Sequence, residues 1–182
     1  MPECPPRGTS RHFLYQTNMN YFINIGSNLG DRRLNISRAL QRIMGLYGWF
    51  DMSKAMESEP WGYESPNTFM NVGIRLVSAL PPEEMLHSLQ TIEKELDDAP
   101  HRNADGSYAD RTIDIDIVAV DELEIDLPGL TVPHPRLPER EFFLRPMAEL
   151  APIWKHPATG KTCSEMLEEL DSQKTDESAC VL

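Results

Sequence analysis

The chain has 182 residues, 40% hydrophobic and 25% charged, with a formal net charge of −12 at pH 7, which fits one domain with a sizeable core. The acidic balance excludes broad binding along a nucleic-acid backbone, which needs clustered Lys and Arg, but not a nucleotide neutralised locally by a few cations and a divalent metal. No run approaches the ~20 apolar residues of a membrane span, and Cys4, Cys163 and Cys180 are too few and scattered for a disulfide framework or a zinc site, so they read as free thiols of a cytoplasmic protein.

Residues 1–19 carry Pro2, Pro5 and Pro6 without a continuous apolar stretch, and read as a disordered leader rather than a secretory signal. Residues 21–25 are a short apolar run ending at Gly26, as in a buried first strand. In the turn SNLGD that follows, Asp31 or Asn28 can cap a helix over residues 32–47, where Leu34, Ile36, Ala39, Leu40, Ile43 and Met44 fall at helical spacing. Residues 50–58 give a weak strand signal, and EPWGYESPN (59–67) is a loop rich in Pro and Gly.

Alternation over residues 69–79 predicts a strand with Val72, Ile74 and Leu76 on one side. Pro81 and Pro82 then open a helix that carries Met85, Leu86, Leu89, Ile92 and Leu96. Residues 97–110 have almost no apolar content and predict an exposed loop. RTIDIDIVAVDE (111–122) is the clearest strand, and ELEIDLPGLTVPH predicts a strand, a turn at Pro128 and Gly129, and a short return. Pro146 should limit residues 139–150 to short helical pieces. A small amphipathic helix over 162–171 and a frayed tail over 173–182 complete the chain. The order β-α-β-β-α-β over residues 20–172 predicts a single α+β domain, a ferredoxin-like split βαβ sheet with helices packed on one face.

Chemistry concentrates in Arg111-Thr-Ile-Asp-Ile-Asp-Ile-Val. Strand residues two apart share a face, so Asp114 and Asp116 project together while Ile113, Ile115 and Ile117 enter the core. With Cα atoms about 6.5–7 Å apart, the two carboxylates can flank magnesium ions, which take oxygen ligands and commonly bind with substrate phosphates. On the pattern alone, a solvated polar face accounts for the pair at least as well. His134 among prolines fits loop packing more often than ligand binding. Arg136, Arg140 and Arg145 fit surface charge, and Phe142 and Phe143 fit a core more often than a stacking platform. A GxxxxGK[ST] phosphate loop is absent.

Taken together, GSNLGD, the EPWG loop, FMNVGIRL, LQTIEKEL, DRTIDIDIV and TVPHPRLPEREFFLRPMAELAP resemble, in this order over residues 20–153, the 6-hydroxymethyl-7,8-dihydropterin pyrophosphokinases. The resemblance implies transfer of pyrophosphate from ATP to the pterin alcohol in folate biosynthesis, by a monomer using two magnesium ions with ATP. By position it implies Asp114 and Asp116 as metal ligands. Gln90, Glu93, Arg111, His134 and Arg140 fall at the ATP site, and Gly26, Ser58, Glu59, Trp61, Phe69, Asn71 and Phe142 around the pterin. Within that set Phe69 and Phe142 sandwich the ring, and Asn71 reads its edge.

Arg111 and Arg102 are the implied catalytic residues, Arg102 as a mobile arginine. The sequence departs from the family in the 97–110 loop, where the usual basic cluster and Trp are replaced by His101, Arg102 and Tyr108. Asp110 stands where a small residue or Pro is usual, and Pro135 where an aromatic residue follows the His. Two other functions fit some of these features. A metal-dependent phosphoesterase explains the acids but gives Phe69, Asn71 and Phe142 no task, and a non-catalytic binding module fits the thin basic loop.

Overall fold

The computed structural model describes residues 18–97 and 109–179. Residues 1–17 of the leader, most of the 97–110 loop with Arg102, and the last three residues lie outside this description, and Met19, expected in the leader, instead begins the first strand. Nine residues of β1 (Met19–Ser27) lead into α1 (Arg32–Tyr47), then β2 (Phe50–Met52), β3 (Met56–Ser58), β4 (Phe69–Ser78) and α2 (Pro82–Leu96). After the undescribed segment come β5 (Asp114–Val120), the β6 (Ile125–Leu127) and β7 (Leu130–Val132) hairpin, α3 (Glu141–Leu150) and α4 (Cys163–Ala179). Asp31 is the N-cap of α1, its carboxylate accepting the Leu34 N–H at 3.0 Å. Among the described residues no helix is long and apolar enough to cross a membrane.

The main sheet is antiparallel, in the order β2-β4-β1-β5, with β3 also on β4. This is the expected split βαβ arrangement, and β1 lies at its centre because its apolar run is buried on both sides. One core holds Ile23, Ile25, Val72 and Ile74 of the sheet against Ile36, Ala39 and Ile43 of α1 and Met85, Leu89 and Ile92 of α2. Helices do not stop at that face, as the sequence led us to expect. Phe22 and Val118 point the other way, into a second core with Phe143, Leu144 and Met147 of α3, Trp154, and Met166 of α4. Helical periodicity identifies an apolar stripe but not which face of the sheet receives it.

Three further expectations are corrected. Helix α3 is continuous through Pro146 instead of broken into pieces. The ring of Pro146 rests on β4 where Gly73 has no side chain, and a Cβ there would lie 2.5 Å from the Pro146 Cβ. Burial of that face offsets the hydrogen bond that proline cannot make. Helix α4 continues past residue 171 to Ala179, with Arg145 and Glu141 of α3 paired to its Asp171 and Lys174. Its apolar stripe ends near Leu170, so its last turns are invisible to periodicity. Strand β5 begins at Asp114 and not Arg111, since the preceding backbone is bonded elsewhere. Arg111 O accepts the Asn28 N–H at 3.2 Å, and Thr112 N–H donates to Asp97 Oδ2 at 2.6 Å.

Gly73→Ala should therefore destabilise the protein by about 1–3 kcal/mol, the usual range for overpacking. The shift in urea midpoint at constant m-value measures it. An unmoved midpoint would contradict the seating of Pro146 on β4.

Candidate active site

The alternation of β5 sends Ile113, Ile115 and Ile117 into the first core and leaves Asp114 and Asp116 half-buried on the opposite face. Register then decides their neighbours. Asp114 lies opposite Gly26, which lies opposite Asn71, and Asp116 lies opposite Asn24, which lies opposite Gly73. Residues directly opposite share a face, so the sheet carries a polar patch of two acids and two amides spaced by two glycines. Helix α3 covers the Gly73 row and leaves the Gly26 row open. A cleft of about 500 Å³ results, lined among others by Ser58, Glu59, Trp61, Phe69, Asn71 and Phe142 and, further along, by Arg111, Asp114, Asp116, His134 and Arg140. Asp116, His134 and Pro135 also line an adjoining depression of about 270 Å³ beside Leu86, Leu130 and Thr131.

At the aromatic end, Gly26 is required by close approach. A Cβ there would sit 2.9 Å from Asn71 Oδ1 and 3.4 Å from Phe69 Cδ1. The Asn71 amide is oriented from both sides, donating from Nδ2 to Ser58 Oγ at 2.9 Å and accepting from Asn24 Nδ2 at 3.3 Å. One N–H and one carbonyl lone pair are left over for a ligand.

The charged end combines acids and guanidinium groups. Arg111, only 9% exposed, donates from Nη1 to Asp114 Oδ1 at 2.9 Å and lies 5.7 Å from the Phe69 ring centre. Arg140 Cζ lies 4.4 Å from the Trp61 ring centre and 5.5 Å from that of Phe142, within cation–π range. Its Nε is buried without a hydrogen-bond partner among the described residues, so this end of the cleft has donor capacity to spare. Burial first, then the Arg140 and Arg136 charges, push the His134 imidazole down to about 4, so it is neutral near pH 7. Its Nδ1 accepts the Arg136 N–H at 3.0 Å, which leaves Nε2 as the donor.

Burial, and then the charge of Asp114, push the Asp116 carboxyl up to about 7, with Arg140 and Arg111 offsetting only part of this. Burial and Asp114 likewise push Glu93 up to about 8, although it accepts the Ile115 N–H at 2.5 Å. Among the described residues no group of three or more His, Cys, Asp or Glu forms a ready-made metal cage. Two carboxylates on one face, Asp114 paired with Arg111 and Asp116 with its charge poorly answered, fit a cation that draws its other ligands from phosphate and water. That is how magnesium usually binds.

The expected residues are thus brought together with three exceptions. Gln90 is on the exposed side of α2 and lines neither cavity. Glu93 is not in the cleft wall but bonds the edge of β5 behind it. Arg102 lies outside the described residues. Sequence reasoning missed Asn24, Tyr63 and Arg136. Asn24 acts through a register partner 47 positions away, a signal absent from any local pattern. Tyr63 could have been suggested by its place two residues after Trp61.

Residues 22–152 match the protein family described as 7,8-dihydro-6-hydroxymethylpterin-pyrophosphokinase. A 2-amino-4-hydroxy-6-hydroxymethyldihydropteridine pyrophosphokinase of Porphyromonas gingivalis is 41% identical over 138 residues, which is 75% of this chain and 92% of that protein. The enzyme of the same name from Aquifex aeolicus is 32% identical over 148 residues, 81% of this chain and 90% of that one. Among solved structures, the wild-type Plasmodium falciparum HPPK-DHPS with pteroate superposes with a TM-score of 0.70 at 14% identity. The superposition covers 90% of this chain and spans 44% of that longer one. At that identity the likeness is one of fold.

A carboxyl raised by folding favours the native state below its unfolded value, and that contribution is lost as pH rises through the folded value. For Asp116 the window runs from the ordinary 3.8 to about 7. The melting temperature of metal-free Asp116→Asn, minus that of the wild type, should therefore increase from pH 4 to pH 8. A difference that stays flat or falls would contradict the crowding of acids around β5.

Proposed function

The chain belongs to the 7,8-dihydro-6-hydroxymethylpterin-pyrophosphokinase family, and on that premise we propose that it moves the two terminal phosphates of ATP onto a 6-hydroxymethyl-7,8-dihydropterin, in folate biosynthesis. The pterin hydroxyl oxygen gives up its proton to solvent and forms a bond to the β-phosphorus, the bond from that phosphorus to the bridging α-phosphate oxygen breaks, and AMP leaves with that oxygen. The observation that carries this reading is the joining, in one cleft, of an aromatic end and an end of acids and arginines.

A flat heteroaromatic ring gains most from aromatic contact plus a few directional hydrogen bonds. In this reading Phe69 and Phe142 hold the ring, and the spare donor and acceptor of Asn71 read its edge. Gly26 keeps that space open, while Ser58, Glu59 and Trp61 complete the wall. Arg140 and the Nε2–H of neutral His134 orient the phosphates, and the adjoining depression past Pro135 takes the nucleoside. Arg111 stands between the two ends, on Asp114 and beside Phe69, a position suited to charge that develops on the transferring group. Asp114 and Asp116 would hold two magnesium ions on the ATP phosphates, supplying charge neutralisation and in-line positioning. ATP as donor suits a cytoplasmic enzyme.

The test is AMP release from ATP and magnesium, with and without hydroxymethyl-dihydropterin. We expect AMP only when the pterin is present, and a rate at least ~100-fold lower in Asp114→Asn and Asp116→Asn, a few kcal/mol of transition-state stabilisation. Both variants should keep a wild-type circular dichroism spectrum, since neither side chain fills the core. Release of free phosphate without pterin would point to hydrolysis instead. A folded variant at near wild-type rate would remove the metal role from that aspartate.

A further inference from the structure

Asp110 is not part of the cleft wall, yet its carboxylate joins two segments that build it. Oδ1 accepts from Asn28 Nδ2 at 2.6 Å and from the Tyr63 hydroxyl at 3.1 Å. Oδ2 accepts from Ser65 Oγ at 2.8 Å and from Asn67 Nδ2 at 2.6 Å. Three of these donors belong to loop 59–67, which has bends but no helix or strand and carries Glu59, Trp61 and Tyr63 to the cleft. The fourth, Asn28, holds the backbone of Arg111 at both ends. Its Oδ1 accepts the Arg111 N–H at 2.8 Å, and its N–H donates to the Arg111 carbonyl at 3.2 Å.

We propose that Asp110 is a positioning residue that locks loop 59–67, and with it the Trp61 wall, to the backbone of Arg111. The pterin wall and the phosphate-binding arginine then hold one geometry before either substrate arrives. The assignment of the two ends rests on the function proposed above, but the lock does not. A carboxylate suits the task because it is acceptor-only, with about four lone-pair sites on two oxygens. Asn would turn an amide N–H₂ toward groups that are themselves donors. Burial works to raise the Asp110 carboxyl, but the hydrogen bonds from Asn67, Ser65, Asn28 and Tyr63 together hold it below its ordinary value, so it stays an anion near neutral pH. Pro or a small residue at this position offers no such anchor.

The test uses the full chain labelled with 5-fluorotryptophan, which reports on Trp49, Trp61 and Trp154 separately, the Trp61 signal being assigned from Trp61→Phe. In the substrate-free protein, Asp110→Ala should broaden the Trp61 fluorine resonance or move it toward its solvent-exposed position, while buried Trp154 stays put. The same variant should raise KM for the pterin by ~10-fold or more, with kcat changed by less than ~3-fold. Asp110→Asn should not restore either value. An unaltered Trp61 resonance in Asp110→Ala overturns the lock, whatever reaction the protein catalyses. A moved Trp61 with unchanged KM overturns the positioning role. Should Asp110→Ala disturb Trp154 as well, two loop variants decide the matter: Tyr63→Phe, which removes the hydroxyl bonded to Asp110 and to Asn28, and Asn67→Ala, which removes the amide donor to Asp110. A displaced Trp61 signal in them supports the lock, and an unaltered one in both overturns it.

Discussion

Asp114, Asp116 and Glu93 set three carboxyl groups around the start of β5, where burial and the charge of Asp114 push Asp116 up to about 7 and Glu93 up to about 8. Most folds avoid such crowding because like charges in a partly dehydrated site repel strongly. Here the backbone makes it unavoidable. Ile113, Ile115 and Ile117 must enter the first core, so the alternating residues must share the other face. Arg111 and Arg140 answer the acids in part, and His134, held neutral by burial and by the charges of Arg140 and Arg136, adds no cation. The remaining imbalance is what a divalent ion carrying phosphates would correct.

The rest of the cleft follows from keeping that face open. Gly26 and Gly73 occupy the two rows of the sheet that run through the acids, and each is glycine for a different reason. At Gly73 the missing side chain admits Pro146 and seats α3, closing one row. At Gly26 it leaves room for Asn71 and Phe69, keeping the other row for a ligand. Stability and function thus divide along neighbouring rows of one sheet. The aromatic residues serve both ends, since Trp61 and Phe142 flank Arg140 and Phe69 flanks Arg111. A guanidinium against an aromatic face keeps its position without spending all its hydrogen-bond donors.

Local signals made much of this legible in the sequence. The cap at Asp31 and the 3.6-residue period place α1, paired prolines and an apolar stripe place α2, and alternation puts Asp114 and Asp116 on one face. Family resemblance then named the aromatic and arginine positions, which periodicity alone reads as core or surface charge. What stayed hidden depends on partners far along the chain. Asn24 reads as one more residue of an apolar strand until register sets it beside Asn71. Pro146 reads as a helix breaker until Gly73 is seen beneath it, and Asp110 reads as loop polarity until Ser65, Tyr63 and Asn67 converge on it.

The central claim is that Asp116 is held partly protonated until a metal–nucleotide complex takes the proton's place. Calorimetry of magnesium with a non-hydrolysable ATP analogue at pH 7, repeated in buffers of different ionisation enthalpy, counts the protons exchanged on binding. With Asp116 raised to about 7, the wild type should release more protons than Asp116→Asn. Equal proton release by the two proteins, or net uptake by the wild type, would contradict the account.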